Sequence, residues 1–280
     1  MTIKYVKKFL FNIAILFSLI LVLFGCKKND LKDFRYEKTD NETIITGLKN
    51  IKAKELYIPE GVTGIKEHAF DGCYQLDLIS IPLSLKTIDI TAIARHGIKE
   101  IYYSGTIIDW LNINVDYFDI DEAMSFVPFL DFRKVYFHDE DGTIEKKGKK
   151  YSLIDRIIIP DGTTEIGNCL FSGQKAIKSI VFPNSVTKIG NGSFAMCDFS
   201  FTELDLPDNL ISIGKFAFCQ DTNIKTIRIP KSLEYIGSSA FRKCNITTVY
   251  YEGSEEDWNK ITIDENWNQS LLNADIIFNS

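Results

Sequence analysis

One phrase recurs along this chain and limits what it can fold into. It stands at IPEGVTGIKEHAF (58–70), IPDGTTEIGNCLF (159–171), FPNSVTKIGNGSF (182–194), LPDNLISIGKFAF (206–218) and IPKSLEYIGSSAF (229–241). Pro160, Pro183, Pro207 and Pro230 follow one another at intervals of 23, 24 and 23. The glycines 167, 190, 214 and 237 keep that spacing, as do Phe171, Phe194, Phe218 and Phe241; Pro59 and Pro82 are again 23 apart. A fixed period in the twenties marks a solenoid, in which each unit buries its apolar side only against its neighbours. The single 24 falls between Cys197 and Pro207, where one extra loop residue costs little.

The shared template is L-x-x-I-x-I-P-x-x-[VL]-x-x-I-G-x-x-x-F-x-x-C. Before the proline the period is two, as in Ile227/Ile229, Leu204/Leu206 and Ile157/Ile159, which predicts a short strand with one buried face. Proline ends that strand because it has no N–H to give to the ladder. Val186 and Ile189, or Leu233 and Ile236, then turn inward across a second extended piece. The glycine is expected to permit the corner, and the phenylalanine to sit in a short helical or 3-10 turn. The second rung departs from the template: DITAIARHGI (89–98) puts Ile93 where phenylalanine belongs and has no glycine after Ile88, so a looser rung is expected there.

Carried in register by five rungs, this template resembles the BspA-like, or treponemal-type, leucine-rich repeats of bacteria over residues ~44–278. The resemblance implies an α/β fold, a right-handed parallel leucine-rich-repeat solenoid of short strands and short helical turns, displayed at the cell surface.

The N-terminus reads as an address. MTIKYVKKF is positively charged, and FLFNIAILFSLILVLF (9–24) is a continuous apolar stretch. That stretch falls short of the roughly 20 residues of a membrane span and suits a signal-peptide core. It ends in LFGC (23–26), which resembles the lipobox of bacterial lipoproteins. The resemblance implies that residues 1–25 are cleaved and that Cys26 is lipidated, with the membrane as partner through that lipid; an uncleaved anchor is the alternative. Residues 26–41 are polar and read as a flexible tether. Losing Lys4, Lys7 and Lys8 takes the net charge from −6 to −9, which argues against a nucleic-acid partner. The Lys146–Lys150 cluster reads as a solvated turn.

Two further segments repeat each other at long range, YYSGTIIDWLNI (102–113) and YYEGSEEDWNKI (250–261). Each begins as a rung strand, replaces the proline with glycine, and starts a helix with a capping pair, Thr106/Asp109 or Ser254/Asp257. Trp110 and Trp258 are expected to fold over an open apolar end. Two arrays follow, 42–138 and 139–280, joined through the polar stretch 139–150.

Chemistry finds little support. His68, His96 and His138 fall at three different places in the coil, with no i, i+4 pair, no HExxH and no paired glutamate. Cys73, Cys197 and Cys244 each stand three residues after a rung position, so the repeat places them. A Cys219–Cys197 or Cys219–Cys244 contact is conceivable, and no C-x-x-C suggests zinc. The acidic stretches DYFDIDE (116–122) and DEDG (139–142) lack the ligand spacing of a calcium loop. Neither a metal nor a cofactor is expected, nor catalysis.

What remains is a surface. The non-core strand positions stack into a column that includes Tyr57, Tyr102 and Tyr136 in the first array, and Arg156, Glu203, Asp205, Arg228 and Tyr250 in the second. Tyrosines interleaved with charges suit a protein-binding face. The sequence therefore reads as a monomeric, non-enzymatic surface lipoprotein. Its expected partner is a host-matrix or bacterial surface protein, and the alternative is carbohydrate capture or an envelope-structural role.

Overall fold

The computed structural model describes residues 29–93, 98–116, 134–175, 177–197 and 199–279. The signal segment, Cys26, His96 and most of DYFDIDE lie outside these residues. A complete rung contributes two short parallel strands and a phenylalanine-bearing turn. The chain is a leucine-rich-repeat solenoid wound around one continuous apolar core.

The pre-proline strands form the outward ladder. In the first array Glu55–Tyr57, Leu78–Ile81, Glu100–Tyr103 and Lys134–His138 pair in parallel. Each proline carbonyl then accepts the N–H three residues on, as from Val186 to Pro183 at 3.1 Å and from Leu210 to Pro207 at 3.0 Å. That turn aims the kept Val or Leu into the core. The second ladder holds the Ile-Gly strands, stacked in the second array as Glu165–Ile166, Lys188–Ile189, Ser212–Ile213, Tyr235–Ile236 and Thr262–Ile263.

The phenylalanines close the coil. Phe171, Phe194, Phe218 and Phe241 stack ring on ring at 5.3, 5.5 and 5.5 Å with planes within 8° of parallel. Their turns are a third hydrogen-bonded column rather than helix: the amides of Phe171, Phe194 and Phe218 donate to Ser193, Ala217 and Ala240 of the next rung. Two residues before and two after each ring, the backbone turns left-handed, at Cys169, Gly192, Phe216 and Ser239 and at Gly173, Met196, Gln220 and Lys243. The amides of Cys169, Gly192, Phe216, Met196 and Gln220 also donate to the next rung. Left-handed geometry thus points alternate N–H groups along the stack, at a cost of roughly 1–2 kcal/mol for each non-glycine.

The template glycines have a different task from the one expected. No left-handed φ is recorded at Gly190, Gly214 or Gly237. Instead, a Cβ on Gly214 would lie 2.7 Å from the Asn191 amide nitrogen and from the Gly190 carbonyl carbon, and one on Gly237 would lie 2.7 Å from the Lys215 nitrogen. The glycine lets successive corners approach.

Three further expectations change. The tether is partly folded: Leu31–Asp33 is a 3-10 turn and Phe34–Lys38 an antiparallel strand on Thr43–Leu48, with Phe34 buried. An apolar ring at the open first rung, with a strand over its ladder edge, hides surface that would otherwise face water. The Lys146–Lys150 turn is not simply solvated: Ile144–Lys146 and Lys149–Leu153 form a hairpin through Lys147 and Gly148, both with positive φ, and it pairs with Lys134–His138. In the second array the extra residue divides the outward ladder into a two-stranded piece (Arg156–Ile158, Ser179–Val181) and a four-stranded piece from Glu203–Asp205 to Asp275–Phe278. The Ile-Gly ladder passes the same step unbroken, with Lys188 opposite Ser212.

Both capping helices form as the sequence indicates. Thr106 and Asp109 close a capping box on Ile107–Leu111, and Ser254 and Asp257 do so on Glu255–Trp258. Trp110, however, meets the second array: its Nε1 donates to the Leu170 carbonyl at 2.8 Å. In the second rung Ile93 is buried, after a 3-10 turn at Ile90–Ala92 that Asp89 caps.

Candidate interaction surface

The two outward faces differ. In the first array Tyr57, Tyr102 and Tyr136 are buried, not exposed as expected, and with Leu78 and Tyr151 they form a small apolar cluster of their own. The hairpin curls over them. Lys147 Nζ sits 3.6 Å from the Tyr57 ring centroid, Lys146 Nζ lies 5.4 Å from that of Tyr102, and Lys149 Nζ reaches Ser104 Oγ at 3.2 Å. Tyr102 stacks on Tyr136 at 4.6 Å and meets Tyr151 edge-on at 5.1 Å. The phenols stay wired to acids: Tyr57 Oη donates to Glu55 at 2.8 Å and Tyr102 Oη to Glu100 at 3.0 Å. Burial first, and then the Glu100 carboxylate, push the Tyr102 and Tyr136 hydroxyls above their ordinary range. Such cation–π, stacking and charge-assisted contacts hold a covered surface together.

Among the described residues the second array carries no such cover. Arg156, Glu203, Asp205 and Arg228 are exposed and Tyr250 is half-buried. Among them Ile158 and Val181, paired in register, are 59% and 51% exposed, and Ile277 stands exposed at the far end of the four-stranded piece, beyond Arg228 and Tyr250. Arg228 ties two rungs: its Nε lies 3.3 Å from Asp205 Oδ1 and its guanidinium 5.5 Å from the Tyr250 ring centroid. The outcome is a broad sheet face, mixed in charge, with apolar residues between the charges.

The other sequence candidates are structural. Cys197 and Cys244 donate through Sγ to the carbonyls of Phe171 and Phe218, each at 3.0 Å, so they satisfy the rung below. All five described cysteines are free thiols. Burial pushes the Cys169, Cys197 and Cys244 thiols far up and Cys219 to about 12, which keeps them protonated at neutral pH. His68 is exposed beside Asp71, and His138 packs edge-on to Tyr151. Among the described residues no group of three or more His, Cys, Asp or Glu could hold a metal ion, and no helix is long and apolar enough to cross a membrane.

Sequence reasoning missed the hairpin cover. Its one signal was Gly148 among lysines, which marks a turn but not the side to which the turn folds.

Stacked rungs, hydrogen-bonded columns and, among the described residues, one uncovered sheet face define a leucine-rich-repeat scaffold. The family model for the BspA type leucine rich repeat region matches residues 27–118 and 142–266 with six copies, and the chain belongs to that family. Solved structures with a similar fold include a leucine-rich repeat protein from Bacteroides ovatus (17% identity, 91% of this chain and 72% of that one, TM-score 0.43). The Treponema pallidum leucine rich repeat protein is 18% identical over 90% of this chain and 98% of its own, with a TM-score of 0.36. A leucine rich cell surface protein from Faecalibacterium prausnitzii is 16% identical over 86% and 98%, with a TM-score of 0.35. No curated protein sequence matches the chain significantly.

Proposed function

We propose that this is a lipid-anchored, surface-displayed binding protein that docks a host-matrix or bacterial surface protein on the outward face of its second array and performs no catalysis. The observation that carries the reading is the contrast between the arrays: the first covers its tyrosine face with a hairpin, whereas the second leaves Ile158, Val181 and Ile277 open among charged neighbours. Apolar residues spaced by charges on hydrogen-bonded strands suit a protein partner, because paired backbone loses little freedom on binding. Cys26 and the apolar segment before it support the anchor.

The test is a pull-down with the intact protein against matrix and bacterial surface proteins, repeated with Arg228→Ala plus Tyr250→Ala and with Ile158→Asp. Capture should fall at least tenfold in each variant while the melting temperature holds. Undiminished capture refutes the face. Cys26→Ala should release the chain from membranes, and protease treatment of intact cells should digest the wild type.

A further inference from the structure

We infer that the turn side of the last rung is a second binding site, one for an acidic oligosaccharide, built around Trp267. Trp110 and Trp258 are buried; Trp267 is 53% exposed. It is also held in a left-handed backbone conformation, φ 61°, which a bulky side chain adopts at a cost. Its neighbour fixes it there. Asn268 is fully buried, accepts the Phe241 N–H at 3.0 Å and donates to the carbonyls of Gly237 at 2.9 Å and Asp264 at 2.6 Å. Asn268 thus accepts the ring-residue N–H that a backbone carbonyl of the next rung accepts elsewhere in the stack, and anchors the backbone beside the indole. Burying the ring would remove much apolar surface from water, so its exposure at a left-handed backbone position points to a ligand.

The ring overlooks a groove of about 560 Å³. Arg242 stacks its guanidinium 4.5 Å from the ring centroid, and Lys243, Asn245, Gln269 and Asn273 line the rest. An indole face accepts the C–H-rich face of a pyranose. Side-chain amides donate and accept at once, as vicinal hydroxyls require. The groove lining contains two cations and no carboxylate, and neither Arg242 nor Lys243 makes an ion pair among the described residues. A stacked guanidinium still offers its in-plane N–H groups to a carboxylate or sulfate. The chemistry recognised is therefore a sugar chain bearing such groups. The site is independent of the sheet face proposed above.

Calorimetry on the intact protein tests it, with oligogalacturonate as the carboxylate probe, chondroitin sulfate oligosaccharide as the sulfate probe, and neutral maltotetraose and poly-glutamate as controls. At least one acidic sugar should bind tenfold or more tighter than both controls. Trp267→Ala should weaken it at least tenfold and Trp267→Phe much less, with melting temperatures unchanged. Arg242→Gln plus Lys243→Gln should equalise acidic and neutral sugars, while Arg228→Ala plus Tyr250→Ala should change nothing. Failure of both acidic sugars to bind, equal binding of maltotetraose or poly-glutamate to wild type, or full affinity in Trp267→Ala overturns the inference.

Discussion

At Gly214 the smallest side chain is required by the chain beneath it. A Cβ there would meet the backbone of Gly190 and Asn191, which cannot move without shifting a rung, and would lie 2.6 Å from the Asn191 Oδ1 that accepts the Lys215 N–H. Gly167 opens its array and differs: the nearest atom to its added Cβ is the flexible end of Leu170 at 3.1 Å. Gly214→Ala should therefore destabilise the protein by about 1–3 kcal/mol and Gly167→Ala by clearly less, read from denaturant midpoints. Equal losses would return the glycine to a local corner role. The recurrence of these glycines was legible in the sequence, but their reason was not, because it depends on a residue one rung away. The left-handed positions were illegible for another cause. Cys169, Phe216, Ser239, Met196, Gln220 and Lys243 share a backbone conformation without sharing chemistry.

Among the elements, the hairpin changes the functional reading most. Strands, proline turns and both capping helices could be read from local pattern, since each obeys a short-range rule. Where a polar hairpin folds is set by partners far along the chain, here Tyr57, Tyr102 and Glu60. The covered phenols give this contact a pH signature. The Tyr102 and Tyr136 hydroxyls are raised from 10.0 by burial and then by Glu100, so the folded state holds their protons more tightly than the unfolded chain does. Their contribution is complete below pH 10 and is lost as pH rises above it. The midpoint for urea unfolding should fall between pH 10 and 12 in the wild type, and more shallowly in Tyr102→Phe plus Tyr136→Phe. Parallel curves for the two proteins would mean that the phenols ionise freely and the cover is open.

For the whole molecule, the question is what makes two arrays one body. The outward ladder of the first ends in the antiparallel hairpin 144–153 and its inner ladder ends at Asn114–Asp116; beyond that hairpin, among the described residues, no strand pairing reaches the rungs that begin at Arg156. The join is made by side chains. Trp110 donates to Leu170, Asn168 Nδ2 reaches the Val115 carbonyl at 3.4 Å, and Trp110 packs edge-on to Tyr103 at 5.1 Å and Phe137 at 5.8 Å. An apolar cavity of about 20 Å³ remains at this seam, lined by residues of both arrays including Ile93, Trp110 and Leu170. Solenoid stability is a sum of rung terms and nearest-neighbour interfaces, so a weakened interface separates the units on either side. Trp110→Ala removes the largest group at this one and should cost about 3–5 kcal/mol. Trp110→Phe keeps most of the packing but leaves the buried Leu170 carbonyl without its donor, for about 1–3 kcal/mol. Calorimetry should show one transition in the wild type and two in Trp110→Ala, and hydrogen exchange should rise first at residues 107–116 and 165–171. A single transition in Trp110→Ala, only slightly shifted, would mean that the coupling runs through the backbone instead, and that the arrays are one cooperative solenoid regardless of the seam.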